Sequence, residues 1–290
     1  MNLKIKILKY PLLLFFFLTV LGGFSQNNSN NTVVSPSMNP WYKKDIENKR
    51  PNAYPNIREA DVMWAKRIWR TIDLREKINQ PLYYPIEPVN DRKSLFDVLT
   101  ASIAKGEITA YGNPIFDDEF KTPLTQDEVQ SLLVRMDTAF QENIESGLTE
   151  AVAIRNEISS EDIKQYWIKE DWFFDRQRSI MDVRIIGICP LKENKGDDGE
   201  VRGYQPLFWI YFPELRPVLA TTEVYIGKNT GQQMSFDGLF AKRYFNSFIH
   251  KESNVYDRSV AEYKSGLDGL LESDKIKENI FNLEQDLWQY

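Results

Sequence analysis

The stretch Ile57–Pro85, IREADVMWAKRIWRTIDLREKINQPLYYP, constrains the fold more than any other. It carries two of the seven tryptophans, Trp64 and Trp69, in the densest mixture of aromatic and basic residues in the chain. Asn56 followed three places on by Glu59 is the pattern of a capping box, so the spacing predicts a helix start there. Ile57, Asp61, Trp64 and Ile68 then share one helical stripe, and Val62, Ala65 and Trp69 share a second. A helix apolar on two sides needs a second cover besides its own core. One of Trp64 and Trp69 is therefore expected in the core, and the other at a contact between modules or subunits. Lys66, Arg67, Arg70, Arg75 and Lys77 surround the two rings. Trp and Arg dominate contact energetics, so Trp64, Arg67, Trp69 and Arg70 form the candidate protein interface. A solvated helix edge with cation–π contacts is the competing reading.

Elsewhere helix and strand signals alternate. Ser94 and Asp97 start a helix with Leu95, Val98, Leu99, Ser102 and Ile103 on its stripe, ended by Gly106. Ile108–Tyr111 reads as a short strand before the Gly112-Asn113-Pro114 turn. Thr125 with Glu128 is a second capping box, and Val129, Leu132, Leu133, Met136 and Phe140 predict a helix running to about Gly147. Ser159 with Asp162 predicts a further helix through Ile163, Tyr166 and Trp167. Trp172–Phe174 and Ile180–Pro190 read as a long strand region, closed by the polar hairpin loop Lys192–Gly203. Leu207–Phe212 and Glu223–Ile226 read as the returning strands. Ser235 caps a helix expected to bury Phe236, Leu239, Phe240, Tyr244, Phe248 and Ile249, and a last helix spans about Asp274–Trp288. The fold class is α+β, with antiparallel sheet elements and packed helices. A weak internal repeat pairs Trp64/Trp69 with Trp167/Trp172 and the SLFD run at Ser94 with SFDG at Ser235. It suggests two related modules, 51–150 and 151–290, with chance matching of aromatic-rich segments as the alternative.

Residues 1–25 have the form of a secretory signal peptide: Lys4, Lys6 and Lys9, an apolar core Leu12–Leu21, then small residues Gly23 and Ser25. The uncharged run Tyr10–Phe24 is short for a membrane span, which leaves no direct span in the mature chain. An uncleaved anchor is the alternative. Residues 26–50, rich in Asn and Ser and then charged, read as a flexible extension in which Trp41-Tyr42 is a docking element or a loose pair. No cysteine lies near the cleavage site, so attachment to a membrane is expected only through a partner.

The formal net charge is −6, and removing three lysines with residues 1–25 makes the rest more acidic. That balance excludes a general nucleic-acid binder, which needs a basic face. The single cysteine, Cys189, sits in an apolar strand-like run and is expected buried and inert. The single histidine, His250, is expected to face solvent at a helix end. Asp117-Asp118-Glu119, Glu170-Asp171 and Asp197-Asp198 are read as solvated loop charge. A carboxylate-based hydrolase would need such groups facing one another across a cleft. No catalytic residue, cofactor or metal ligand is therefore assigned.

Six runs carry a family resemblance: ADVMWAKRIWRTIDLREKINQPLYYP, RKSLFDVL, AYGNPIFDDEF, EDIKQYWIKEDWFFD, QRSIMDVRIIGI and the Leu207–Leu219 region. Over residues 57–290 they resemble the GldN (PorN) family. That resemblance implies a periplasmic, non-enzymatic component of the type IX secretion and gliding motility machinery of Bacteroidetes. It implies ring-like assembly with the lipoprotein GldK (PorK) beneath the outer membrane, self-association within the ring, and work beside GldL and the periplasmic region of GldM (PorM). Nothing is carried onto residues 26–50. A peptidoglycan-binding module and a carboxylate-based hydrolase are the alternatives.

Overall fold

A computed structural model describes residues 49–89, 92–142, 149–196, 198–225 and 234–288, without side chains for 135–156 and 288. The signal-peptide and extension readings, including Trp41-Tyr42, therefore lie outside the described residues, as do Asp197 and Ile226. The described residues all fall in one compact unit.

Its frame is a seven-stranded antiparallel sheet. Five of the strands are β1 (Val62–Asp73), β2 (Ala110–Tyr111), β5 (Ile163–Asp175), β6 (Ile180–Lys195) and β8 (Trp209–Tyr211). With β11 (Phe248–Glu252) they run in the order β11-β1-β5-β6-β8-β2, and β7 (Val201–Pro206) adds to β6. Strands from both sides of residue 150 thus share one sheet, and the two Trp-bearing stretches are its adjacent central strands β1 and β5. A separate hairpin pairs β3 (Val134–Glu142) with β4 (Thr149–Glu157), and β9 (Glu223–Val224) pairs with β10 (Met234–Ser235). The helices are α1 (Gln80–Tyr83), α2 (Leu95–Ala104), α3 (Gln126–Leu133), α4 (Phe212–Thr221), α5 (Phe236–Ala241) and α6 (Leu267–Trp288).

The α+β class stands, but several elements change identity. The expected helix with stripes from Ile57 to Trp69 is β1, preceded by one 3-10 turn at Glu59–Asp61 that lacks a side-chain cap. Ser159 and Asp162 do form a capping box, but on a 3-10 turn that feeds β5 rather than a helix. The Thr125 helix ends at Leu133 and the chain continues as β3. Helix α5 ends at Ala241, and Phe248 and Ile249 belong to β11. Phe212, read as the end of a strand, opens α4, where Pro213 suits the first turn and Pro217 interrupts the pattern.

Strand alternation divides the sheet into two faces. One carries Ile72, Tyr166, Ile168, Ile188 and Ile210, which form the main core with α2, α4 and α5. In α2 alone Leu95, Phe96, Val98, Leu99 and Ile103 are buried, each contributing about 1.5–3 kcal/mol of apolar transfer. Further along the same face, α6 covers Ile68 and Ile249 with Ile276 and Ile280. The Ile249 N–H donates to Ser273 Oγ at 2.8 Å, tying β11 to that helix. The opposite face carries Trp69, Cys189 and Trp209, packed with Tyr111, Phe120 and Trp167. Phe120 comes from the segment 112–123, a strap laid across that face.

Candidate interaction site

Alternation along β1 puts Trp64, Lys66, Ile68 and Arg70 on the helix-covered face and Ala65, Arg67, Trp69 and Thr71 on the strap face. The four candidate interface residues are therefore not one patch. Trp64 packs with Trp172 against the α6 cluster. Trp69 is 7% exposed and lies in the aromatic cluster beneath the strap. Lys251 Nζ sits 4.7 Å from its ring centre. Four of the five cations around the two rings have internal partners. Arg67 donates twice to Asp171, at 2.6 and 2.9 Å, and that hydrogen bonding raises its pKa. Lys66 pairs with Glu252 at 2.7 Å, and Arg75 with Asp73 at 2.5 Å. Arg70 donates to Ser247 Oγ at 2.8 Å, and burial lowers its pKa.

Three of the four still meet. Strand β11 pairs with β1 only from Ile68 to Thr71, so among the described residues Val62–Lys66 pairs with β5 alone and forms a free edge. Around that edge both faces open into one cleft of about 1080 Å³, lined by Trp64, Arg67, Trp69, Asp171, Arg184 and Ile280 among others. Arg70 lies outside it. An unpaired edge flanked by Trp and Arg can take a further strand or an irregular partner surface.

Between the two clusters on the helix-covered face lies a charged group the sequence did not reveal. Glu170 is fully buried. It accepts from Arg243 at 2.8 and 3.1 Å and from Trp172 Nε1 at 3.0 Å. On the strap face Lys169 is almost as enclosed. Its ammonium donates to the Asp118 carbonyl and stands 3.5 Å from the Asp118 carboxylate. Trp69 and Phe120 flank it with ring centres 5.7 and 5.5 Å away. Burial lowers its pKa, against the opposing pull of Asp118. The strap is seated by shape. A Cβ on Gly187 would stand 2.6 Å from Phe120 Cζ, so the ring occupies space that only glycine leaves open. Trp209 Nε1 adds a 2.9 Å bond to the Pro114 carbonyl.

Groups capable of chemistry are absorbed into this framework. Cys189 is buried on β6, as expected, and burial pushes its thiol up. His250 does not end a helix in solvent. It lies half-buried on β11, 2.9 Å from Thr71 Oγ1 through Nδ1, and stacks on Trp167 with centroids 4.9 Å apart. Burial and neighbouring Lys251 push its pKa down to about 3. Glu170 and Asp171 are neighbours on a strand and so point to opposite faces. They are structural ion-pair partners rather than the solvated loop charge expected. Asp117 caps the strap, accepting from Glu119 N, Lys121 N and Thr122 Oγ1. Asp198 bends the β6–β7 loop by accepting from Glu200 N. Among the described residues no group of three His, Cys, Asp or Glu side chains could hold a metal ion. Nor is any described helix long and apolar enough to cross a membrane.

Two surface features escaped the sequence reading. The strap tip presents Ile115 at 67% and Phe116 at 92% exposure. A groove of about 980 Å³ lies beside α1, lined by Ile78, Tyr84, Val89 and Tyr225 with Lys77 and Arg92 at its rim. The Gly112-Asn113-Pro114 turn marked the strap as irregular, but amphipathic periodicity carries no signal for loop side chains.

A family model described as "Gliding motility associated protein GldN" matches residues 57–289. No curated protein sequence matches the chain.

Proposed function

We propose a function for this chain from one premise: it belongs to the GldN family of gliding motility associated proteins. The proposed role is structural. The chain acts as a non-enzymatic, periplasmic component of the type IX secretion and gliding machinery. It assembles in rings with the lipoprotein GldK (PorK) beneath the outer membrane and works beside the periplasmic region of GldM (PorM).

The observation that carries this reading is the extent of the family match, which runs from before β1 almost to the chain end. Every described strand of the sheet and the six described helices fall inside it. The geometry supports the same reading. The thiol is buried, the imidazole is held neutral between Thr71 and Trp167, and the buried carboxylate is tied to Arg243. What the surface offers instead are contact features: the free β1 edge with Trp64 and Arg67, and apolar loop residues held in place. Trp64, Arg67 and Trp69, around the cleft, are proposed to meet a partner subunit, with Arg70 bracing β1 from behind.

Export by residues 1–25 and attachment through the lipoprotein give a direct test. Cells are fractionated, and the N-terminus of the chain is sequenced, with and without GldK. The expected result is a chain starting after Ser25 that pellets with outer membranes only when GldK is present. A chain that keeps Met1 in the cytoplasmic fraction contradicts the proposal.

A further inference from the structure

The cleft beside β1 opens onto peptide groups as well as side chains. We propose that it takes an extended, uncharged segment of a different protein chain, bound as an added strand centred on Ala65. The proposal names the kind of segment that fills the partner contact in the reading above, and it rests on that contact.

Backbone direction fixes which peptide groups are open. The Arg67 carbonyl accepts from Ser253 N at 2.9 Å, so it points away from β5. Alternation turns the peptide groups of Ala65 the same way and those of Lys66 toward β5. Strand β11 would cover Ala65 if it ran on. Its pairing ends with Glu252 opposite Ile68, and Ser253 makes the last bond. The chain then folds back, with Lys251 bridged to Ser259. Among the described residues, the N–H and carbonyl of Ala65 are therefore left without a backbone partner. A partner that covers Ala65 must replace the water on both groups or bury them unpaired at a cost. An extended backbone supplies an acceptor and a donor at the matching spacing, which is how added strands bind.

The walls of the cleft select a slender occupant. Asn279, Ile280 and Leu283 of α6 line one side, and Asp118 and Glu119 of the strap line the other. A second copy carries the same edge between the same walls, so two such edges cannot meet. A single extended segment can enter. Its side chains alternate between the two faces. The one opposite Ala65 points to the strap face, where the small alanine methyl leaves room. Those on either side of it point toward α6, beside Trp64, Ile280 and Leu283. Apolar side chains there would finish covering Trp64, which α6 leaves half-buried.

Charge offers the segment no foothold. Arg67 holds Asp171, Lys66 holds Glu252, Lys121 holds Glu119 and Lys251 holds Asp257. Asp118 faces Lys169, and Arg184 donates to the Pro55 carbonyl. A charged side chain brought into the cleft would compete with these contacts, whereas the Ala65 peptide groups and the apolar surface of Trp64 are free to be used.

Residue-resolved hydrogen–deuterium exchange tests this on particles purified from outer membranes through tagged GldK, with the isolated chain as reference. In the isolated chain the Ala65 amide should exchange fast, and the Lys66 amide, bonded to β5, slowly. In the particles the Ala65 amide is expected to slow by about tenfold or more, with Lys66 little changed. Particles that hold the chain but leave Ala65 exchanging at its isolated rate overturn the added strand and leave the structural role intact. Particles that lack the chain overturn both. An Ala65 amide already slow in the isolated chain overturns the free edge and the proposal with it. Ala65→Pro separates a backbone bond from simple cover, because proline removes the outward N–H and is tolerated at strand edges. The variant is checked for folding by far-UV circular dichroism. It should be lost from the particles, while Ala65→Ser, which keeps the N–H, should be retained. A folded Ala65→Pro chain retained like the wild type overturns the proposal. If Ala65→Pro does not fold, the exchange of the wild type decides alone.

Discussion

At the scale of single residues, the buried Glu170 should dominate the polar energetics. Its carboxylate is fully enclosed and holds both Arg243 and the Trp172 indole. Removing the partner of a fully buried charge leaves that charge desolvated and unpaired, at a cost of about 3–5 kcal/mol. Arg243→Ala, which leaves Glu170 unpaired, should therefore lower the urea midpoint strongly. Asp171→Ala, next along the strand, removes a pair open to solvent on both sides and should cost about 1 kcal/mol or less. Equal losses from the two substitutions would refute this ranking. His250 sets an acid limit. Its imidazole is held down to about 3 in the fold, well below the ordinary histidine value. The unfolded chain therefore takes up the proton first. Stability from the neutral ring is complete above about pH 6.5 and is lost progressively as the pH falls toward the folded value. His250→Asn should flatten that part of the stability curve, measured by urea unfolding between about pH 7 and about pH 5. An unchanged slope would show that the ring does not titrate this way.

At the scale of elements, β1 shows why sequence reading succeeded in some places and failed in others. Spacings of four residues fit one helix stripe and also one strand face, so Trp64 and Ile68 align under either periodicity. The strand signal is strict alternation, but in β1 apolar and basic residues share both faces, and only Ile68–Ile72 is buried on both. Strand β5 repeats the problem with Trp167 and Trp172. Caps were more legible, because they depend on a local hydrogen bond. Ser94, Thr125 and Ser235 each accept the backbone N–H three residues on. A cap specifies only a first turn, however, and Ser159 caps a turn that goes no further. The two tryptophans of β1 should separate by function. Trp69→Ala empties the centre of the aromatic cluster and should cost about 3–5 kcal/mol, seen as a fall in Tm. Trp64 lines the cleft at the free edge, so Trp64→Ala should leave a folded chain that assembles poorly with its partner. If Trp64→Ala unfolds the chain as severely as Trp69→Ala, the edge is core and not a contact surface.

At the scale of the whole molecule, one antiparallel sheet is covered by helices on one face and by a strap on part of the other. Helix periodicity and strand runs were enough to indicate an α+β chain. They could not show that Trp64 and Trp69 flank a free strand edge, because β11 stops pairing at Ile68 and only the three-dimensional register reveals it. Nor could they show that Phe116 is left outside while Phe120, four residues on, is locked against Gly187. The central proposal is that the chain is a building part of the secretion and gliding machinery rather than a catalyst. It is tested most directly by purifying tagged GldK from outer membranes of cells that make either the wild-type chain or Trp64→Ala. Ring particles are imaged and secretion is measured in the same cells. The expected result is rings containing the wild-type chain in active cells, with rings and secretion lost together for the folded Trp64→Ala chain. Rings that lack the chain altogether in cells that secrete normally would contradict the claim.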